Sequence, residues 1–175
     1  MIRKIVQKED KVLRQNAKEI LVYEITTPKI KKILKEMSEA LKSQDDGVAL
    51  AAPQIGYPLS IFIVSGKIFS ESFIRGEALP KDAVIPKDMV FINPKISKLS
   101  KDKEWVPEGC LSVRWLYGNT YRSKKATVTA YDEHGKKFVR GASNLLAQIF
   151  QHETDHLKGV LFIDTAKNIK EEMPR

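Results

Sequence analysis

The chain has 175 residues, 42% of them hydrophobic and 30% charged, with a formal charge of +8. That composition belongs to an ordinary globular protein and excludes disordered, collagen-like and membrane-spanning classes. The length suits one domain running over residues 1–175, large enough to bury a core without cross-links. Cys110 is the single cysteine, so no intramolecular disulfide can form.

The segment from Met1 to Asp10 has no apolar signal core. The longest apolar stretch, around Val48 to Pro53, is far too short to cross a bilayer. The expectation is a protein with no membrane partner, in the cytoplasm or in an organelle of bacterial descent. The basic residues are scattered, as in Arg3, Lys4, Lys8 and Lys11 and again in Lys95, Lys98, Lys101 and Lys103. They carry no interleaved aromatics, so no DNA partner is expected. Charge alone offers a weak, salt-sensitive attraction to an anionic surface such as the ribosome.

The first clear element is a helix over Pro28 to Leu41. Ile30, Ile33, Leu34, Met37 and Leu41 repeat on one face, Thr27 is placed to cap it, and Pro28 suits its first turn. Gln44 to Gly47 then breaks the pattern. Ser60 to Val64 and Met89 to Ile92 are apolar and β-branched, as in buried strands. Between them, residues 66–88 carry Gly76, Pro80 and Pro86 and are expected to make an excursion over the surface. Ala126 to Tyr131 alternates as a half-buried strand. Asp132 to Gly135 supplies a turn, with His134 exposed in it, and Lys137 to Val139 returns as the partner strand.

The last clear element is a helix from about Ser143 to Lys158, with Ser143 as its cap and Gly159 as its stop. Leu145, Ile149, His152 and His156 are spaced by four, three and four residues, which puts two histidines on the apolar stripe. They belong to Gln151-His152-Glu153-Thr154-Asp155-His156, a His-Glu-x-x-His pattern. Histidines at i and i+4 can both turn a ring nitrogen to one metal ion, with the intervening glutamate close by as a base. Two satisfied core histidines would give the same letters, but this spacing inside a capped amphipathic helix favours the metal. A catalytic site needs a third protein ligand. Six residues past His156 stands Phe162, which excludes the metzincin pattern. Glu171 and Glu172 have little room as thermolysin-like ligands. Cys110, in Glu108-Gly109-Cys110-Leu111-Ser112, is the remaining soft candidate.

At this point the chain resembles the peptide deformylase family. Three segments carry the resemblance, in the family's order: Gly47-Val48-Ala49-Leu50-Ala51-Ala52-Pro53-Gln54, Glu108 to Ser112, and Gln151 to His156. Two positions depart from the family pattern. Ala49 stands where a second glycine is usual, and Arg114 where a proline is common. The resemblance implies an α+β fold of short antiparallel strands packed around a central C-terminal helix that carries the histidines. It implies Cys110, His152 and His156 as ligands of one divalent transition metal, with Fe2+ expected and Zn2+, Ni2+ or Co2+ able to replace it.

The implied reaction removes the formyl group from the amino-terminal formyl-methionine of nascent chains and releases formate. Glu153 would move protons, while Gln54 and the backbone N–H of Leu111 would face the developing oxyanion. The N-formylmethionyl peptide would lie extended along Gly47, Val48, Ala49 and Leu50. Glu108 and Gly109 would join them as substrate-binding residues, with Gly109 allowing a tight turn before the cysteine. Val106, Leu145, Ile149 and Val48 are candidates for the methionine pocket. Arg122 reads equally as a support for Glu108 or as a solvated base. Gln151 and Asp155 are candidates for orienting a ligand. Two rivals remain at this stage: a His-Glu-x-x-His metallopeptidase, and a basic ribosome-binding module with a structural metal.

Overall fold

A computed structural model describes residues 2–173. In chain order it has α1 (Pro28–Lys42), β1 (Ala49–Ala51), β2 (Ile61–Val64), β3 (Met89–Leu99), β4 (Lys103–Gly109), β5 (Leu116–Ser123), β6 (Lys125–Tyr131), β7 (Lys137–Ser143), α2 (Asn144–Leu157) and β8 (Lys167–Glu171). The strands form a five-stranded antiparallel sheet in the order β1-β2-β3-β6-β7 and a three-stranded one in the order β4-β5-β8. α2 packs against five strands of the larger sheet and β5 of the smaller one, so the histidine helix is the centre of an α+β fold.

The larger sheet is covered on both faces, and β2 shows how. Its Ile61 and Ile63 pack with Ile30, Ile33 and Met37 of α1. Its Phe62 and Val64 pack with Ile149 and Phe150 of α2. A strand buried on both sides needs an unbroken apolar run, which is what Ile61-Phe62-Ile63-Val64 supplies. Phe62 stacks on Phe91 with ring centroids 4.5 Å apart, and Phe150 meets Phe91 edge-on at 5.2 Å. This cluster fixes the height of α2 over the sheet. β1 lies at the sheet's edge, and among the described residues only one of its sides is paired.

α1 forms as expected, with the Ile30 N–H donating to Thr27 Oγ1 at 3.5 Å and Pro28 in the first turn. α2 starts differently. Ser143 is the last residue of β7, paired with Lys125, and its side chain makes no capping bond. Asn144 turns the chain from strand to helix in one step, at φ +53°. Gly159 ends the helix region at φ +72°, where a Cβ would also lie 2.7 Å from the Arg14 backbone.

The polar strand pair β4–β5 and the exposed β8 are additions to the elements read from sequence. Residues 66–88 are also more than a surface excursion, because Phe73 to Leu79 forms one wall of the main cleft. No helix among the described residues is long and apolar enough to cross a membrane.

Candidate active site

α2 carries His152 and His156 on successive turns, with ring centroids 4.9 Å apart. β4 ends at Gly109 and delivers Cys110 to the same point. The candidate ligand atoms of Cys110, His152 and His156 all lie within 4.8 Å of one another, and Cys110 Sγ is 3.2 Å from His156 Nε2. His152 Nδ1 donates to Glu108 Oε1 at 2.7 Å, which leaves Nε2 as its ligating atom. Burial holds His156 well below the usual imidazole range and so keeps it neutral, the form that binds metal.

The donors present fit a transition metal. A thiolate with two imidazoles suits zinc, iron, nickel or cobalt and does not suit magnesium or calcium. Two buried polar atoms, Glu153 Oε2 and His156 Nδ1, have no hydrogen-bond partner among the described residues. A buried carboxylate oxygen normally has one. Glu153 therefore presents a free acceptor beside the three ligands, and burial pushes its carboxyl up to about 7.

Glu108 is the hub behind His152. Its Oε1 accepts from His152 and from Arg122 Nη2, and its Oε2 from Thr120 Oγ1 at 2.7 Å, Gln148 Nε2 at 3.0 Å and Arg122 Nε at 3.1 Å. Burial raises the Glu108 carboxyl, but His152 and Arg122 outweigh it and hold the group well below the usual carboxylate range. Arg122 also donates to Asp155 Oδ2 at 2.7 Å, so it is a buried support and not a solvated base. Asp155 touches Arg122 and reaches the ligand only through that chain. Gln151 is a fastener of a different kind. Its amide exchanges bonds with the N–H and C=O of Ser123, tying α2 to β5 and touching no ligand.

The oxyanion candidates sit on the other side of Cys110. Gln54 Oε1 accepts from the Ala51 N–H at 2.8 Å, and Nε2 donates to Ser112 Oγ at 3.1 Å and toward Cys110 Sγ at 3.5 Å. The amide is thereby fixed with its donor toward the ligand sulfur. Leu111 follows directly.

A cleft of about 790 Å³ opens over these groups. Gly47, Val48 and Ala49 form one wall and Leu145 and Ile149 another, with Gln54, Glu108 to Leu111, His152 and Glu153 at the base. Leu50 and Val106 are not among the described residues that line it. Leu50 turns into the α1 core, and Val106 sits half-buried on β4 opposite Thr120. Gly47 is closely packed, since a Cβ there would crowd the Leu41 Cδ1 methyl at 2.9 Å and the Leu111 Cδ1 methyl at 3.2 Å. Gly109 makes no tight turn. It lies in β4, where a Cβ would strike the Tyr117 ring at 2.7 Å.

Two lining residues, Gln148 and Arg75, escaped the sequence reading, and a third, Arg114, was noted there only as a departure from the family pattern. Gln148 stands one turn before His152 and bonds Glu108 and the Pro107 carbonyl. Its place four residues before His152 was a usable signal. Arg75 reaches from the long loop to Gln148 Oε1 at 3.1 Å and the Pro107 carbonyl at 2.8 Å. Arg114 makes a two-pronged ion pair with Asp46, with Nη2 2.9 Å from Oδ1, and adds Gln44 Oε1 at 3.2 Å. The residue that replaces the family's proline thus joins the cysteine loop to the segment leading into β1.

Comparison with known proteins agrees with this geometry. The family model described as Polypeptide deformylase matches residues 2–172. Peptide deformylase 2 of Clostridium acetobutylicum is 36% identical over 163 residues, 93% of this chain and 94% of its own. A peptide deformylase structure from Legionella pneumophila is 33% identical with a TM-score of 0.78, covering 96% of this chain and 88% of that one. The Met-Ala-Ser-bound class I type b peptide deformylase from Acinetobacter baumannii is 25% identical with a TM-score of 0.79, covering 94% of this chain and 99% of that one. The chain belongs to the peptide deformylase family, the hydrolases that remove the amino-terminal formyl group from nascent proteins.

Proposed function

We propose that residues 1–175 act as one catalytic domain in which Cys110, His152 and His156 hold ferrous iron, with zinc, nickel or cobalt as substitutes. The observation that carries this reading is the meeting of these three side chains within 4.8 Å, beside a buried Glu153 oxygen that has no hydrogen-bond partner among the described residues. A divalent metal bound there supplies Lewis-acid polarisation and a nucleophilic water near neutral pH. Glu153 takes the proton of the attacking water and delivers one to the departing amine. Its carboxyl, pushed up to about 7, is suited to both transfers. Gln54 Nε2 and the Leu111 N–H donate to the oxygen of the tetrahedral intermediate. Losing one such donor typically costs about a hundredfold or more in rate. Glu108, Arg122 and Asp155 act through His152.

The substrate is an N-formylmethionyl peptide. It lies extended along the unpaired side of β1, with Val48, Leu145 and Ile149 around the methionine. An open sheet edge reads peptide backbone and leaves side chains beyond the pocket free to vary. A structural relative described as bound to Met-Ala-Ser supports a peptide beginning with methionine as the ligand. The work is done in the cytoplasm or in an organelle of bacterial descent. The charge of +8 gives a weak, salt-sensitive association with the ribosome. The metallopeptidase and RNA-binding rivals have no support among the matched proteins.

The test is anaerobic incubation of iron-loaded protein with formyl-Met-Ala-Ser and, separately, with unformylated Met-Ala-Ser. Formate should appear with the first peptide only, and neither should be cut internally. Internal cleavage, or no formate from metal-loaded protein, overturns the reading.

A further inference from the structure

The cysteine loop is held from a distant part of the chain. The Val113 N–H donates to the Cys110 carbonyl at 3.1 Å, which closes a turn over Cys110 to Val113. The next peptide unit, Leu111–Ser112, is gripped at both ends. Its N–H donates to Cys110 Sγ at 3.4 Å, and its carbonyl accepts from Gln7 Nε2 at 3.0 Å. Gln7 Oε1 in turn accepts from the Arg114 N–H at 3.2 Å. One side-chain amide, 104 residues away in sequence, therefore satisfies both an acceptor and a donor of the loop. The neighbouring Val6 N–H donates to the Gln54 carbonyl at 2.9 Å. Gln54 and Leu111, the two proposed oxyanion donors, are thus both tied to consecutive residues of the amino-terminal segment.

We propose that Gln7 is a positioning residue of the active site, holding the Leu111–Ser112 peptide so that the Ser112 N–H meets Cys110 Sγ and the Leu111 N–H keeps its aim. Its catalytic part rests on the deformylase reading. Peptide hydrogen bonds in series polarise one another, so a donor on the Leu111 carbonyl also strengthens the N–H···S bond at the other end of that unit. A sulfur that accepts such a bond is fixed in direction. Without Gln7, the Leu111–Ser112 unit can swing about the torsions of Leu111, taking the sulfur's donor with it and loosening the preceding N–H. Misplacement on the scale of an ångström from a residue outside the chemistry is enough for a large rate loss.

The experiment uses zinc-loaded full-length protein and the variants Gln7→Ala and Gln7→Glu. The glutamate keeps an acceptor for the Arg114 N–H and cannot, as a carboxylate, donate to Leu111. Amide hydrogen exchange followed by NMR should show Ser112 exchanging roughly tenfold faster in both variants, with Gln151 to Thr154 in α2 unchanged. On formyl-Met-Ala-Ser, kcat should fall roughly tenfold with KM held within about twofold. Ser112 exchange at the parent rate in either variant overturns the proposal, as does kcat within about twofold of the parent. If the parent itself releases no formate, the deformylase reading has failed, and the Ser112 exchange alone decides the role of Gln7.

Discussion

The histidine side and the cysteine side of the metal site are held by different forces. His152 and His156 ride on α2, which is anchored by Phe150 and Ile149 in the aromatic core and backed by the buried Glu108–Arg122 pair and the half-buried Asp155. Cys110 sits on a loop anchored by Leu111 in the α1 core and by Val113 beside Leu13, Leu161 and Phe162, and its direction is set by single hydrogen bonds from Gln7, Gln54 and Val113 and by the Arg114–Asp46 pair at the rim. Packing is cooperative and tolerant of a lost contact. A loop whose backbone direction is set by individual bonds is re-aimed when one of them is lost, while its buried Leu111 and Val113 keep it in place. Damage to the helix side should therefore appear as lost stability and metal affinity, and damage to the loop side as lost rate or substrate affinity in a protein that still folds.

The largest effect separates chemistry from both sides. Glu153→Gln should cut kcat by about a hundredfold to ten-thousandfold with metal content unchanged, because Glu153 is placed as a proton carrier and not a ligand. Metal loss in that variant would move Glu153 into the ligand set.

On the helix side, Arg122→Leu leaves Glu108 buried beside His152 without its guanidinium. Breaking such a buried pair typically costs about 3–5 kcal/mol, and loss of a ligand's supporting bond about ten- to a hundredfold in metal affinity. Thermal unfolding and a metal competition titration should both register it. A variant as stable as the parent would show that the network carries little of the histidine side.

On the loop side, Arg114→Ala should leave melting nearly unchanged, since an exposed-rim pair contributes about 1 kcal/mol or less. KM should rise severalfold as the Gly47–Val48 wall is released from the cysteine loop. The pair also sets a pH signature. The Arg114 guanidinium, against a smaller opposing effect of burial, holds Asp46 below the usual carboxylate range. The stabilisation is therefore present above the unfolded-state value and is lost as pH falls through the lower folded-state value. Any stability gap between the parent and Asp46→Asn should persist at neutral pH and close only in strong acid. A gap that opens on acidification would reverse the assignment.

The smallest effect concerns one methyl group. Ala49 lines the cleft at 6% exposure, so Ala49→Gly should shift KM by a few-fold and leave kcat in place. A large fall in kcat would mean that Ala49 shapes the catalytic centre and not the peptide edge.

The same contrast explains what could be read from the sequence. The α2 stripe, the α1 face and the continuous run of β2 are apolar patterns of local period, and each appears in the structure where the pattern puts it. β4 and β5 escaped because their buried face is polar. Glu108, Thr120 and Arg122 are buried on it, so no hydrophobic alternation marks the strands. Arg122 could not be assigned from spacing because its partners lie 14 and 33 residues away. Gln7 carries no local signal at all, and Arg114 stands out only as a departure from the family's proline. Their roles exist only once the amino-terminal segment, the cysteine loop and the entry to β1 are brought together by folding.

The most direct test of a single metal gripped from both sides is the optical spectrum of the cobalt-substituted protein. A tetrahedral centre with one thiolate should show intense visible d–d bands and a near-ultraviolet sulfur-to-cobalt charge-transfer band. Cys110→Ala should lose the charge-transfer band, and His152→Ala should lose the tetrahedral d–d pattern. A parent spectrum without the charge-transfer band, or one that Cys110→Ala leaves unchanged, would contradict the account.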